Sequence, residues 1–193
     1  MAKVSEWIMR YGEPYVIMEV PPITWGNVTK HLDNIITEQA KLFSKDGWED
    51  KSSVRDSLVG WVSEPSILDL FFDMGEEANK ACGWNLNIQY LEPLQYTVYH
   101  KDGFYDWHVD QHSKVVDREV RKISFTCWVN DEYEGGEFDL EVGNPNDEVR
   151  YKTFVREPGK VIFFMSDWFH RVRPIRSGVR KSLVGWFSGP QYV

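Results

Sequence analysis

Cysteine is scarce in this chain. Cys82 and Cys127 are the only two, too few and too differently placed for a disulfide framework, so a reducing, cytoplasmic setting is the expectation. Long apolar runs are missing as well. The first twenty residues are broken by Lys3, Glu6, Arg10 and Glu13, and neither a signal peptide nor a membrane span is expected. Positive charge is in deficit: 22 Lys and Arg against 30 Asp and Glu leave a formal net charge of -8. Such a surface repels phosphate, so no nucleic-acid partner is expected. No stretch repeats at a fixed period or falls to low complexity, which removes solenoids and linker arrays. A length of 193 residues suits one buried core, and residues 1–193 are expected to form a single domain.

What is abundant is aromatic side chain, 15% of residues, which favours pleated, half-buried surfaces and a β-rich fold. Residues 1–95 read as a mixed support region. Val16 to Val20 predict a short strand stopped by Pro21 and Pro22, and Val28, Leu32, Ile35, Ile36, Leu42 and Phe43 recur at helical spacing. A second helix begins near Pro65 and ends at Gly83, and the alternation of Leu86, Ile88 and Tyr90 predicts a strand. Residues 96–190 read as eight short strands: 96–99, 106–110, 122–129, 136–142, 150–154, 160–164, 169–173 and 180–187. Turn residues fill 130–135, 143–147, 157–159 and 174–178. The expected fold is mainly β with flanking helices, a double-stranded β-helix of the jelly-roll, cupin-like kind.

His108 and Asp110 stand two apart in one predicted strand, so their side chains leave the same face. That signal is weak alone. It gains weight from His170 on a late strand, because two imidazoles and a carboxylate on one face of an octahedral ion leave three positions open. His112 competes as a third ligand, but four residues along a strand separate it from His108 by roughly 13 Å. His112, His31 and His100 are read as solvated or hydrogen-bonded histidines. Arg180 opens the last strand with Ser182 on the same face, a pair suited to gripping a carboxylate, and Lys181 points the other way.

The run Tyr99-His-Lys-Asp-Gly103-Phe-Tyr105-Asp-Trp-His108-Val-Asp110 resembles the strand pair that introduces the first two iron ligands of prolyl-4-hydroxylase-like 2-oxoglutarate oxygenases. Arg121-Lys-Ile-Ser124 with Tyr133-Glu-Gly135-Gly136-Glu137 is similar to the PKHD-type hydroxylases of that superfamily. Pro158-Gly159, Phe169-His170-Arg-Val-Arg-Pro174 and Gly178-Val-Arg180-Lys-Ser182-Leu-Val-Gly-Trp186 complete the pattern in the expected order. The resemblance implies Fe(II) at His108, Asp110 and His170, and 2-oxoglutarate at Arg180 with Tyr99 as a hydroxyl partner. It further implies O2 as co-substrate, ascorbate as a possible reductant, and hydroxylation of an unactivated C–H bond with release of succinate and CO2. Collagen-type members usually carry lysine where this chain has Arg180.

A peptide substrate with proline as first candidate is expected, against a free amino acid or other small metabolite. A non-catalytic jelly-roll binding protein is the reading from another class. Trp107, Trp128 and Trp186 are candidates to line the pocket, and residues 111–119 to form a flap over it.

Overall fold

The computed structural model describes residues 13–44, 47–49, 53–111, 119–143, 148 and 150–191. Its first strands are β1 (Tyr15–Glu19), β2 (Glu38–Gln39), β3 (Leu42–Ser44), β4 (Gly47–Glu49), β5 (Arg55–Asp56) and β6 (Leu58–Val62). Between them and after them come helices α1 (Pro22–Leu32) and α2 (Pro65–Ala81). The chain then continues through β7 (Tyr90–Leu91), β8 (Leu94–Tyr99), β9 (Phe104–His108), β10 (Glu119–Trp128), β11 (Tyr133–Gly135) and β12 (Phe138–Glu141). It finishes with β13 (Tyr151–Phe154), β14 (Lys160–Met165), β15 (His170–Val172), β16 (Ile175–Gly178) and β17 (Arg180–Pro190).

Two antiparallel sheets carry the architecture. The major sheet runs β1-β14-β10-β17-β8-β6-β2 with β7 added beside β17, and the minor sheet runs β13-β12-β15-β9-β5. Neighbours within each sheet are mostly distant in sequence, so the chain crosses repeatedly between the two, which is the jelly-roll, double-stranded β-helix expected above. The period-2 alternation of the central strands separates two cores. Leu94, Tyr96 and Val98 of β8, Ile123, Phe125 and Cys127 of β10, Val161 and Phe163 of β14, and Leu183 and Phe187 of β17 face one core. Tyr99, Trp128, Ile162 and Phe164 from those same strands face the other, where they meet Phe138, Leu140, Phe154 and Val172 of the minor sheet. The second core therefore lies between the sheets, and any site built there is walled on both sides.

The helices cover the first core. Val28 and Leu32 of α1 and Ile67, Phe71, Met74 and Ala78 of α2 all belong to it, and Phe71 stacks on Phe125 with ring centroids 4.8 Å apart. Helix α2 starts with proline in its first turn, and it ends where Gly83 takes φ +68°. There the Gly83 and Trp84 N–H groups close back on Lys80 and Asn79, a Schellman stop that only a left-handed residue completes cheaply.

Three expectations for the chain are corrected. The first helix stops at Leu32, where the Asn34 side chain caps the Lys30 carbonyl; Ile36 is 91% exposed and Leu42 and Phe43 belong to β3. Residues 86–89 form no strand, because the Asn79 amide both donates to the Leu86 carbonyl and accepts from its N–H. Only Tyr90 and Leu91 pair, with Ser188 and Phe187. Residues 133–135 and 175–178, expected as turns, pair with each other as β11 and β16. The expected turn at 143–147 falls largely, the flap at 111–119 almost wholly and His112 wholly outside the described residues.

Gly75 of α2 gives a test of the packing. A Cβ there would come 2.1 Å from Cζ of Phe187, a ring that is fully buried. Alanine is the better helix former by about 1 kcal/mol, but overpacking a closed core costs about 1–3 kcal/mol. Gly75→Ala is therefore expected to lower the urea midpoint, and an increase in stability would show that Phe187 is free to move.

Candidate active site

The minor sheet brings the two histidines together. His170 of β15 is the direct cross-strand partner of His108 of β9, and their ring centroids lie 4.1 Å apart. Asp110 is placed differently from the expectation, since β9 ends at His108 and Asp110 stands on the bend beyond it. What carries it back is the Ser166 carbonyl, which accepts from the N–H groups of both Asp110 and Gln111. Its Oδ2 comes 3.3 Å from His170 Nε2, and its Oδ1 3.8 Å from His108 Nε2. One ligand atom from each residue lies within 4.8 Å of the others.

Both imidazoles are oriented alike. His108 Nδ1 lies 2.7 Å from the Asp106 carbonyl and His170 Nδ1 lies 3.0 Å from the Trp168 carbonyl. A carbonyl accepts only, so the proton sits on Nδ1 and the Nε2 lone pair is free to point at an ion. Burial, aided by the neighbouring His170, lowers the His108 pKa to about 3, leaving the neutral, ligating form at physiological pH. Burial alone would raise Asp110, but His170 and then His108 hold it well below the usual carboxylate range. One Asp110 oxygen, Oδ2, is buried with no hydrogen-bond donor. Two imidazole lone pairs and an ionised carboxylate form a donor set that fits a divalent ion of the iron type.

Arg180 faces the same intersheet space from the major sheet. It pairs across strands with Tyr99, its Cζ lies 5.3 Å from that ring, and its Nη1 donates to Ser182 Oγ at 2.9 Å. Arg180 and Ser182 are each 1% exposed. Among the described residues Nε and Nη2 of Arg180 make no well-aligned hydrogen bond, and no acidic residue pairs with it. Ser182 was expected to bond a ligand; its oxygen accepts from Arg180 and its hydroxyl proton remains to be given. Lys181 donates its N–H to Asn130 Oδ1 on the way past.

Several neighbours escaped the sequence reading. Tyr133 lies near Arg180, burial raises its pKa against the pull of that charge, and among the described residues its buried hydroxyl makes no well-aligned hydrogen bond. Gly136 makes room for both: a Cβ there would sit 3.0 Å from Arg180 Cδ and 3.2 Å from Tyr133 Cε2. Tyr105 stacks on His108 with centroids 3.5 Å apart and planes at 12°. Arg55 lies over the Tyr105 ring at 4.7 Å. A signal for Tyr133 and Gly136 was available, since Tyr133-Glu-Gly135-Gly136 belongs to the quoted pattern; nothing in the sequence singled out Arg55.

Of the three tryptophans, Trp128 is in the intersheet core. Trp186 is buried with Nε1 unpartnered beneath the Arg121 guanidinium at 3.9 Å. Trp107 faces away: it packs under Arg171 and beside Tyr151. That outward side of the minor sheet is organised by Asp139, fully buried, which accepts from Arg171, Arg173 and Thr153. His100 is exposed and His31 sits in the last turn of α1, and neither belongs to the His108, Asp110 and His170 cluster. Cys82 and Cys127 are buried, and burial raises both thiols, Cys82 to about 11, so neither is a nucleophile.

Comparison with known proteins follows the same geometry. Residues 94–188 match the family model of the 2OG-Fe(II) oxygenase superfamily. A PKHD-type hydroxylase of Synechococcus sp. (strain CC9605) is 39% identical over 84 residues, covering 42% of this chain and 35% of that protein; the first curated relatives are thus matched over a third to a half of their length. A prolyl-4-hydroxylase from Pseudomonas putida superposes with a TM-score of 0.69 at 18% identity, covering 98% of each chain. A prolyl hydroxylase from Trichoplax adhaerens, in complex with a hypoxia inducible factor oxygen degradation domain peptide, superposes with a TM-score of 0.68 at 15% identity over 95% of this chain and 86% of its own. At such identities the superpositions speak for the fold, and the sequence matches supply the kinship. The segment 94–188 thus matches the 2OG-Fe(II) oxygenase superfamily.

Proposed function

We propose that the chain is an Fe(II)- and 2-oxoglutarate-dependent dioxygenase, with His108, Asp110 and His170 as iron ligands and Arg180, Ser182 and Tyr99 as the seat of the distal carboxylate of 2-oxoglutarate. The observation that carries this reading is the buried guanidinium of Arg180 with two unpartnered nitrogen atoms. An uncompensated charge in a protein interior costs several kcal/mol. A planar, bidentate fork of that kind is complementary to a carboxylate, and 2-oxoglutarate brings one.

Iron and 2-oxoglutarate, when bound, would couple oxidative decarboxylation of the keto acid to succinate and CO2 with transfer of one oxygen atom of O2 into a C–H bond. The chain's own groups position and enclose. The Asp106 and Trp168 carbonyls fix both imidazole tautomers. Phe164, edge-on to His170 at 4.8 Å, and Phe138 at 5.8 Å keep water from that side. Arg180 sets the direction from which a dicarboxylate enters. Ascorbate enters this reading only as an external reductant that keeps iron ferrous. For the primary substrate, a peptide side chain with proline as first candidate is supported by the likeness to prolyl hydroxylases, the Trichoplax protein with its peptide among them.

Anaerobic addition of Fe(II) and 2-oxoglutarate to the wild-type protein is expected to give a weak visible charge-transfer band. His108→Ala, Asp110→Ala and His170→Ala should each abolish the band and the retention of metal after equilibrium dialysis, with the far-ultraviolet circular dichroism unchanged. Full metal retention by His170→Ala would overturn the ligand set.

Arg180→Ala is expected to weaken 2-oxoglutarate by about 30-fold or more, since truncating one partner of a buried charge pair costs at least ~2 kcal/mol. Metal retention should stay near wild type. An unchanged dissociation constant for 2-oxoglutarate in a calorimetric titration would place the clamp elsewhere.

A further inference from the structure

The constellation around Arg180 occurs twice. On β17, Arg180 and Ser182 stand two apart, with Tyr99 as the cross-strand partner of the arginine. On the edge of the minor sheet, Arg55 and Ser57 stand two apart, with Tyr105 as the cross-strand partner of the arginine. In each case a guanidinium nitrogen donates to the serine oxygen, Nη1 at 2.9 Å for Arg180 and Nε at 2.8 Å for Arg55. In each case the guanidinium stands close to the tyrosine ring, at 5.3 Å and 4.7 Å. Arg55 is 8% exposed and Ser57 3%. Among the described residues, Arg55 Nη2 is buried without a hydrogen-bond partner and no carboxylate pairs with this arginine. The Tyr105 ring it covers is the one stacked on His108, so Arg55 stands no farther from that imidazole than these two contacts laid end to end.

We propose that Arg55, braced by Ser57 and Tyr105, is a second carboxylate clamp that selects the primary substrate by an acidic group. The two sheets then divide the anions: the major sheet takes the co-substrate at Arg180, and the minor sheet takes a carboxylate of the molecule to be oxidised. A guanidinium held on an aromatic face with one nitrogen already used is preorganised for a planar anion and loses little entropy on binding it. Two sources supply that chemistry, the α-carboxylate of a free amino acid and an acidic side chain within a peptide. The inference rests on the oxygenase reading for its meaning but is read out separately from it.

The test uses paired probes on the anaerobic protein loaded with Fe(II) and 2-oxoglutarate, where no turnover occurs, and follows intrinsic tryptophan fluorescence. One pair is L-proline and L-prolinamide; the other is acetyl-Pro-Glu-amide and acetyl-Pro-Gln-amide. The wild-type protein is expected to bind the carboxylate member of at least one pair ~10-fold tighter than its amide, as befits a charge-assisted hydrogen bond, and the pair that responds identifies the source. In Arg55→Gln that preference should vanish, with affinity for the amide and for 2-oxoglutarate unchanged. Arg55→Lys, which keeps the charge and the stem, should lose about half of the preference on a logarithmic scale, and serves if the glutamine variant does not fold. Equal binding of carboxylate and amide in both pairs, or a preference that survives in Arg55→Gln, would overturn the proposal. Loss of 2-oxoglutarate affinity in Arg55→Gln would do so as well, by assigning Arg55 to the co-substrate. If the wild-type protein fails to bind 2-oxoglutarate, the oxygenase reading fails instead, and the carboxylate preference is then measured on the protein with Fe(II) alone.

Discussion

The arrangement of the site depends on one register, the pairing of His170 with His108 across β15 and β9. Two residues farther along β15, Val172 pairs with Tyr105, three residues back on β9. The mismatch is a β-bulge, which adds a residue to one strand and reverses the facing of everything beyond it. Because of it, Tyr105 and His108 meet ring to ring although they stand three positions apart. Beyond His108 the chain leaves the strand, and the Ser166 carbonyl accepts from the N–H groups of Asp110 and Gln111. Without that register the carboxylate, the two imidazoles and the tyrosine would not share one face.

Around this register the major sheet keeps its buried polarity on one side. The helix-covered side of the major sheet is apolar throughout its centre, while the opposite side holds Gln95, Thr97, Ser124, Thr126, Arg180, Ser182 and Ser188, all buried. Some of these satisfy one another, as Gln95 does Thr97 and Ser124 does Ser166. Asp110, Tyr133, Arg180, Trp186 and Arg55 each keep an atom unsatisfied. Natural interiors tolerate few such groups, and their concentration between the sheets marks a space shaped for polar guests.

Much of this was legible in the sequence because it obeys simple periods. Arg180 and Ser182 lie two apart on a strand whose alternation holds there, and His108, Asp110 and His170 stood out as the residue types of a metal-binding triad. What was not legible broke a period or lacked one. Arg55 lies on a strand of two residues, too short to alternate. Tyr105 is hidden by the bulge, and Trp107 was misjudged for the complementary reason, its neighbour being a ligand. The first helix was overextended because Ile35 and Ile36 continue a spacing that the Asn34 cap had already ended. Residues 86–89 look like a strand until the distant Asn79 amide claims the Leu86 backbone. In the helix and in residues 86–89 a side-chain hydrogen bond to the backbone overrode a local pattern, and at Tyr105 a single inserted residue did.

The outward face of the minor sheet has a consequence for how the molecule comes apart. Helices shield the major sheet, whereas β12, β13 and β15 are tied on their solvent side by Asp139 with Arg171, Arg173 and Thr153. A guanidinium salt offers that carboxylate a rival fork in great excess; urea, uncharged, does not. The two denaturants therefore act on different joints of the same molecule. In the guanidinium salt the strand that carries His170 is exposed to early release from its neighbours, and in urea its fate is bound to that of the helix-covered core.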